Sequence, residues 1–219
     1  MFAASSLTRA FTTIGQEFEQ ANPGTRLRFS FGGSADLVAQ LEQGAPADVF
    51  ASADEANMSK AVTGGLVAGE AHEFASNSMA IAVPPGNPAG IGSFADLGDP
   101  NVKVVVCAPQ VPCGAATVTV EKRTGTSLTP VSEEQAVSDV LGKVASGEAD
   151  AGIVYVTDIK NANGAVSGIA IPRPDNAVNS YPIAVLSSTG EPTLAQEFQT
   201  WVLGPRGRRV LHAAGFSGP

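Results

Sequence analysis

The chain has 219 residues, a formal net charge of −8, 43% hydrophobic residues and 16% charged ones. That length buries a substantial core, either as one α/β domain or as two small lobes. The acidic balance, with no basic cluster to offset it, argues against nucleic acid as a partner, and no apolar run approaches the roughly 20 residues that cross a bilayer.

Met1-Phe2-Ala3-Ala4 reads as the interior of a strand rather than a natural beginning, so a targeting segment is expected ahead of it. Ala3-Ala4-Ser5-Ser6 leads into a helix on which Leu7, Ala10, Phe11, Ile14 and Phe18 keep helical spacing, stopped by Pro23-Gly24. Arg26 to Phe31 reads as a strand that ends in Gly32-Gly33, and Ser34 to Gln43 as a helix with Leu37, Val38 and Leu41 on one side. After the Gly44-Ala45-Pro46 turn, Asp48 to Ala51 is a short buried strand, and Asp54 caps the next helix. Strand and helix alternate, which points to a largely parallel sheet with helices on its faces.

Met79 to Val83 is another apolar strand, and Pro84-Pro85-Gly86-Asn87-Pro88 then breaks the pattern, which places a crossing into a second lobe there. Val102 to Val106 is a buried strand, followed by a Cys-Pro loop and a helix from Gly114 to Arg123. Val137, Val140, Leu141 and Val144 mark a further helix, and Ile153 to Val156 a strand running into Thr157-Asp158. Tyr181 to Leu186 crosses back, and the tail closes with one helix carrying Leu194, Phe198, Trp201 and Val202 and a last one around Val210-Leu211. The expected division is residues 1–82 and 180–219 in one lobe and 83–179 in the other, with a cleft between them.

Ser6 and Ser34 each open a helix after a strand. Serine caps helices well without further function. Two such starts from neighbouring strands, however, stand where parallel sheets bind ligands, outside the carboxyl ends of the strands. The unpaired amides of a first turn and the macrodipole suit that place to an anion. Cys113-Gly114-Ala115-Ala116 repeats the theme in the second lobe, where a plain structural turn is the alternative. Tyr155 ends a strand and either offers its phenol to the cleft or packs with a satisfied hydroxyl. Ser132-Glu133-Glu134-Gln135 fits a capping box, which would bury the amide of Val137 inside a helix.

Cys107 and Cys113 lack both the partners of a zinc site and the C-x-x-C redox form. A bridge would stabilise the loop by roughly 2 kcal/mol and imply an oxidising compartment; two reduced, buried thiols are the alternative. His72 and His212 read as surface residues and Trp201 as core. No nucleophile elbow, Walker loop, metal set or dinucleotide fingerprint is present, so a binding site is favoured over an active site.

The segments FAASSLTRAF, SFGGSADLVAQLEQGAPADVFASAD, VPCGAA, ADAGIVYVTD and YPIAVL, in that order over nearly the whole chain, resemble the molybdate-binding proteins of ABC importers, members of the group-II solute-binding proteins. The resemblance implies an α/β, two-lobed periplasmic binding protein type II fold, each lobe a mixed, mostly parallel sheet flanked by helices, with the ligand in the cleft. In that family serine hydroxyls, backbone amides and one tyrosine hydroxyl grip the oxyanion. Carried onto this sequence, that implies Ser6 and Ser34, the amides of Cys113 and Val137, and the phenol of Tyr155. Molybdenum enters only as molybdate through these residues, with no catalytic residue and no cofactor.

Cys113 stands where the family carries alanine, which a main-chain donor tolerates. An amide donor at Val137 requires a helix starting nearer Glu134 to Ala136, against the capping-box reading. An extracytoplasmic receptor, in the periplasm or cell envelope, makes the Cys107–Cys113 disulfide the expected state. It also implies a monomer that meets a membrane permease, with lipid anchoring through a preceding segment left open. A site of donors alone suits a full dianion, whereas protonated phosphate leaves its O–H without a partner there. Tungstate, nearly the same size, should bind comparably. The rival readings are a receptor for sulfate, thiosulfate, phosphate or ferric ion on the same fold, and an enzyme on a two-lobed scaffold using Asp36 or Asp158.

Overall fold

In a computed structural model covering residues 1–219, the short strand β1 (Phe2–Ala4) organises the first of two units. It pairs in parallel with β2 (Ser30–Gly32) on one side and β3 (Val49–Ala51) on the other, with Ala4 opposite Gly32 and Ala3 opposite Ala51. Strand β9 (Val178–Val185) runs antiparallel to β3, placing Ile183 opposite Ala51.

Alternation along these strands divides the apolar residues between two cores. Ala3, Val49, Ala51, Tyr181 and Ile183 pack with α1 (Thr8–Ala21), α7 (Pro192–Leu203) and α8 (Pro205–Ala214). Phe2, Phe50 and Ala184 face the other way, against Leu37, Val38 and Leu41 of α2 (Ser34–Glu42) and Met58 and Ala61 of α3 (Glu55–Thr63). Small residues in the sheet leave room for an aromatic layer: Phe11 and Phe18 meet Phe198 edge-on, with ring centroids 6.3 and 5.3 Å apart. Trp201 lies at the margin of this layer. Its ring meets Phe18 at 5.4 Å, while the Arg206 guanidinium covers it at 4.5 Å.

The second unit is built the same way. Strand β4 (His72–Val83) is continuous, and its residues from Asn77 onward belong here. β5 (Val104–Cys107) lies parallel to both β6 (Ser132–Glu134) and β7 (Ala151–Tyr155). β4 runs antiparallel to β7 and to β8 (Ser167–Ala170). Helices α4 (Pro112–Thr124), α5 (Val137–Ala145) and α6 (Val156–Asn161) follow β5, β6 and β7 in turn. Two glycines set how closely helix meets sheet. A Cβ on Gly152 would lie 2.7 Å from Val140 of α5, and one on Gly114 would fall 1.9 Å from the carbonyl oxygen of Ala108.

The chain divides as Met1–Ser76 with Ser180–Pro219, and Asn77–Asn179. The first passage thus falls within β4, ahead of the expected boundary at residue 82, because the prolines after Val83 end that strand rather than mark the crossing. Three further expectations are corrected. Ser132 opens an edge strand, not a helix: Ser132 pairs with Val105, and its hydroxyl and the Glu134 carboxylate both meet Lys143. Arg26 to Phe29 precede β2 rather than belong to it, and the Leu27 amide donates 2.6 Å to Glu19 Oε1 instead of to a ladder. Strand β8 was not anticipated at all.

Gly114→Ala is expected to lower the unfolding free energy by about 3 kcal/mol, since a backbone carbonyl occupies the space the methyl needs. Gly142→Ala, with nothing within 4 Å of the added carbon, should be neutral or stabilising by up to about 1 kcal/mol. Urea unfolding midpoints of the two variants against the parent protein check both.

Candidate functional site

In the first unit, β1, β2 and β3 are mutually parallel, so the residues that follow them emerge at one end of the sheet. Ser6 follows β1 in a single 3-10 turn, Ser34 opens α2 after β2, and Ser52-Ala53-Asp54 follow β3. Both serines are buried, at 6% and 1% exposure. Their local geometry leaves amides unclaimed by the helices they begin. The Thr8 amide bonds back to the Ser5 carbonyl, and the Leu37 amide to the Gly33 carbonyl at 3.0 Å, so the N–H groups of Ser5 to Leu7 and Ser34 to Asp36 precede the first intrahelical bonds.

The hydroxyls are held as well. The Ala53 amide donates to Ser34 Oγ at 3.0 Å, and Ser6 Oγ shares a 3.0 Å hydrogen bond with the hydroxyl of Tyr181. A backbone N–H only donates, so Ser34 Oγ is the acceptor in that bond and its own proton is not used there. Asp54, as expected, caps α3 by accepting from the Asn57 amide at 2.9 Å.

In the second unit the same rule applies to β5, β6 and β7, which place Cys113, Val137 and Tyr155 at their shared carboxyl end. Cys113 is not on a loop ahead of its helix, as the prolines suggested. Pro112 takes the first helical position, where a missing N–H costs nothing, and Cys113 follows inside the first turn. The first intrahelical bond runs from the Ala115 amide to the Val111 carbonyl at 3.0 Å, so the amides of Cys113 and Gly114 lie ahead of it. Cys113 and Cys107 form the expected disulfide, with Cα atoms 5.6 Å apart. Helix α5 begins at Val137 itself, and its first bond joins the Asp139 amide to the Ala136 carbonyl at 3.1 Å. The capping-box reading is overturned, and the amide of Val137 stands at an open helix start.

Tyr155 is 1% exposed, and its phenol oxygen accepts from Asn179 Nδ2 at 2.9 Å. Asp158, at the third position of α6, reaches back so that its Oδ2 accepts the Tyr155 amide at 2.9 Å. It thereby helps to cap α6, the helix that follows the Tyr155 strand and has Tyr155 as its N-cap. Burial raises its pKa to about 7, against the smaller opposing effect of that hydrogen bond. Asp36 and Arg9 are exposed on their helices. No cluster of three or more His, Cys, Asp or Glu suited to a metal ion is present, and His72 and His212 are exposed.

Sequence reasoning missed Tyr181 and Asn179, which hold the hydroxyls of Ser6 and Tyr155. Their signal was the spacing Asn179-Ser180-Tyr181 on one strand, where alternate residues share a face.

A strand-helix scaffold carrying donor-rich helix starts is what solute receptors present. The sequence matches the family of bacterial extracellular solute-binding proteins over residues 1–217, and the chain belongs to that family. It is 50% identical over 219 residues to the molybdate-binding protein ModA of Mycobacterium tuberculosis strain H37Rv, covering 100% of this chain and 84% of that protein. Among solved structures, the periplasmic molybdate-binding protein of Azotobacter vinelandii matches with a TM-score of 0.88 at 24% identity, over 100% of this chain and 98% of that one. The sulfate-binding protein SubI of M. tuberculosis H37Rv matches with a TM-score of 0.84 at 19% identity, over 99% and 85%. These likenesses give the fold expected from the sequence, a two-lobed periplasmic binding protein.

Two outcomes follow for stability. Between pH 4 and 7 the folded protein keeps a proton on Asp158 that the unfolded chain has released. Its contribution therefore falls as pH rises across that window, by at most about 1.4 kcal/mol per pH unit. Urea titrations at several pH values should show that slope in the parent protein and its loss in Asp158→Asn. Reducing the Cys107–Cys113 bridge should lower stability by about 2 kcal/mol, read by calorimetry as a thermal midpoint lower by roughly 4–8 °C.

Proposed function

We propose that the protein is the extracytoplasmic receptor of an ABC importer, capturing molybdate, and tungstate with it, for delivery to a membrane permease. The oxyanion takes hydrogen bonds from the hydroxyls of Ser6, Ser34 and Tyr155 and from the amides of Cys113 and Val137. The observation that carries this reading is the geometry at the strand ends: Ser6, Ser34, Cys113 and Val137 follow parallel strands at helix starts, where N–H groups precede the first intrahelical bonds, and Tyr155 ends such a strand. The 50% identity to a protein named as molybdate-binding, along the entire chain, supports the choice of ligand.

The chemistry agrees. None of the five residues is a carboxylate, lysine or arginine. An ion with no proton of its own fits donors alone, while a protonated one would need an acceptor. In this reading the protein is a carrier that works as a monomer without a cofactor and leaves catalysis to the transporter's ATPase.

Isothermal calorimetry should give saturable heat with molybdate and with tungstate and none with sulfate or phosphate. Saturable heat with sulfate in place of molybdate would reassign the ligand, and chemical turnover of any bound compound would overturn the carrier reading. Ser6→Ala and Ser34→Ala should each weaken molybdate binding by about 1 to 3 kcal/mol, roughly 5- to 150-fold in Kd.

A further inference from the structure

We infer that Asn179 and Tyr181 are positioning residues, which turn the hydroxyl protons of Tyr155 and Ser6 toward the bound oxyanion. The inference rests on the molybdate reading above and adds what fixes the direction of its donors. The two residues lie two apart on β9, either side of the point where the chain passes from Asn179 to Ser180 and so from one unit to the other.

The case for Asn179 is a matter of which groups can donate. Its Nδ2 lies 3.3 Å from the carbonyl oxygen of Pro112 and 2.9 Å from Tyr155 Oη. A carbonyl only accepts, so it must face the nitrogen rather than the oxygen of the side-chain amide, and the same nitrogen then faces the phenol. Tyr155 Oη is thereby an acceptor on that side, and its single proton is given elsewhere.

Tyr181 does the corresponding work for Ser6. Its ring is fully buried, edge-on to Phe74 at 6.3 Å and to Phe216 at 5.3 Å, so its hydroxyl cannot swing away. In the 3.0 Å bond with Ser6 either oxygen can donate. An anion on Ser6 Oγ takes the serine proton, and the more acidic phenol then donates to the serine oxygen. Ser34 has the same support from the Ala53 amide. Each hydroxyl that meets the ligand therefore accepts from a fixed donor behind it, and the pair polarise one another.

Because a positioning residue acts only through its partner, coupled variants test the assignment. Molybdate affinity is measured by calorimetry for Tyr181→Phe, Ser6→Ala and the pair, and for Asn179→Leu, Tyr155→Phe and the pair, with thermal midpoints recorded for all. Tyr181→Phe and Asn179→Leu alone should each weaken binding about tenfold. Neither should weaken it further once Ser6→Ala or Tyr155→Phe is present, a complete loss of additivity that a general effect on folding would not produce. Additive losses, or unchanged affinity in the single variants beside a parent protein that binds molybdate, would overturn the positioning role alone. A parent protein that binds no molybdate would overturn the receptor reading and this inference with it.

Discussion

Parallel pairing of β1 with β2 and β3 in one unit, and of β5 with β6 and β7 in the other, is the constraint on which the candidate site residues of each unit depend. Parallel strands end on the same side, and each must be followed by a return helix. The starts of those helices therefore gather at one edge of each sheet, their first amides unclaimed by helical bonds. The gathering of those helix starts is thus a consequence of the topology. What the sequence adds is the choice of side chains small enough to leave those amides approachable: Ser6, Ser34, and Gly114 beside Cys113.

Electrostatics follow from the same arrangement. With a net charge of −8, the protein's overall field opposes an incoming anion, and attraction must come from dipoles at short range. Asp158, the carboxylate beside Tyr155, sits buried in the first turn of α6 and accepts the Tyr155 amide. Burial keeps it partly protonated near neutral pH. Its charge is therefore suppressed where a full negative charge would work against the helix starts of the second unit.

Much of this was legible in the residues, and the failures have physical reasons. Apolar periodicity located α1, α2, α5 and α7, because each buries a single stripe, and the glycine turn before Ser34 located the start of α2. Strand β6 was misread because its Ser-Glu-Glu sequence carries no apolar signal; it is an edge strand whose charge is met by Lys143 from α5. Capping-box chemistry and edge-strand chemistry use the same residues, so only the pairing with β5 decides between them. Cys113 was placed on a loop for a related reason. A proline reads as a breaker, yet at the first position of a helix it is compatible with continuation. The parts played by Asn179 and Tyr181 beside Tyr155 and Ser6 escaped the sequence because they lie in which atom donates to which, and spacing carries no information about direction.

The disulfide shows how the pieces of the second unit constrain one another. Gly114 must approach the Ala108 carbonyl so closely that no side chain fits, which presses the first turn of α4 onto the end of β5. Cys107 ends that strand and Cys113 lies in that turn, so the bridge ties the same two segments that the glycine brings together. The Thr117 hydroxyl adds a bond of 2.8 Å to the Cys113 carbonyl. The sulfur and the carbonyl of Cys113 are thus held within the unit, while its amide lies ahead of the first helical bond. A residue whose side chain is spent on structure can still serve a ligand through its backbone, which is why cysteine is acceptable where the resemblance leads one to expect alanine.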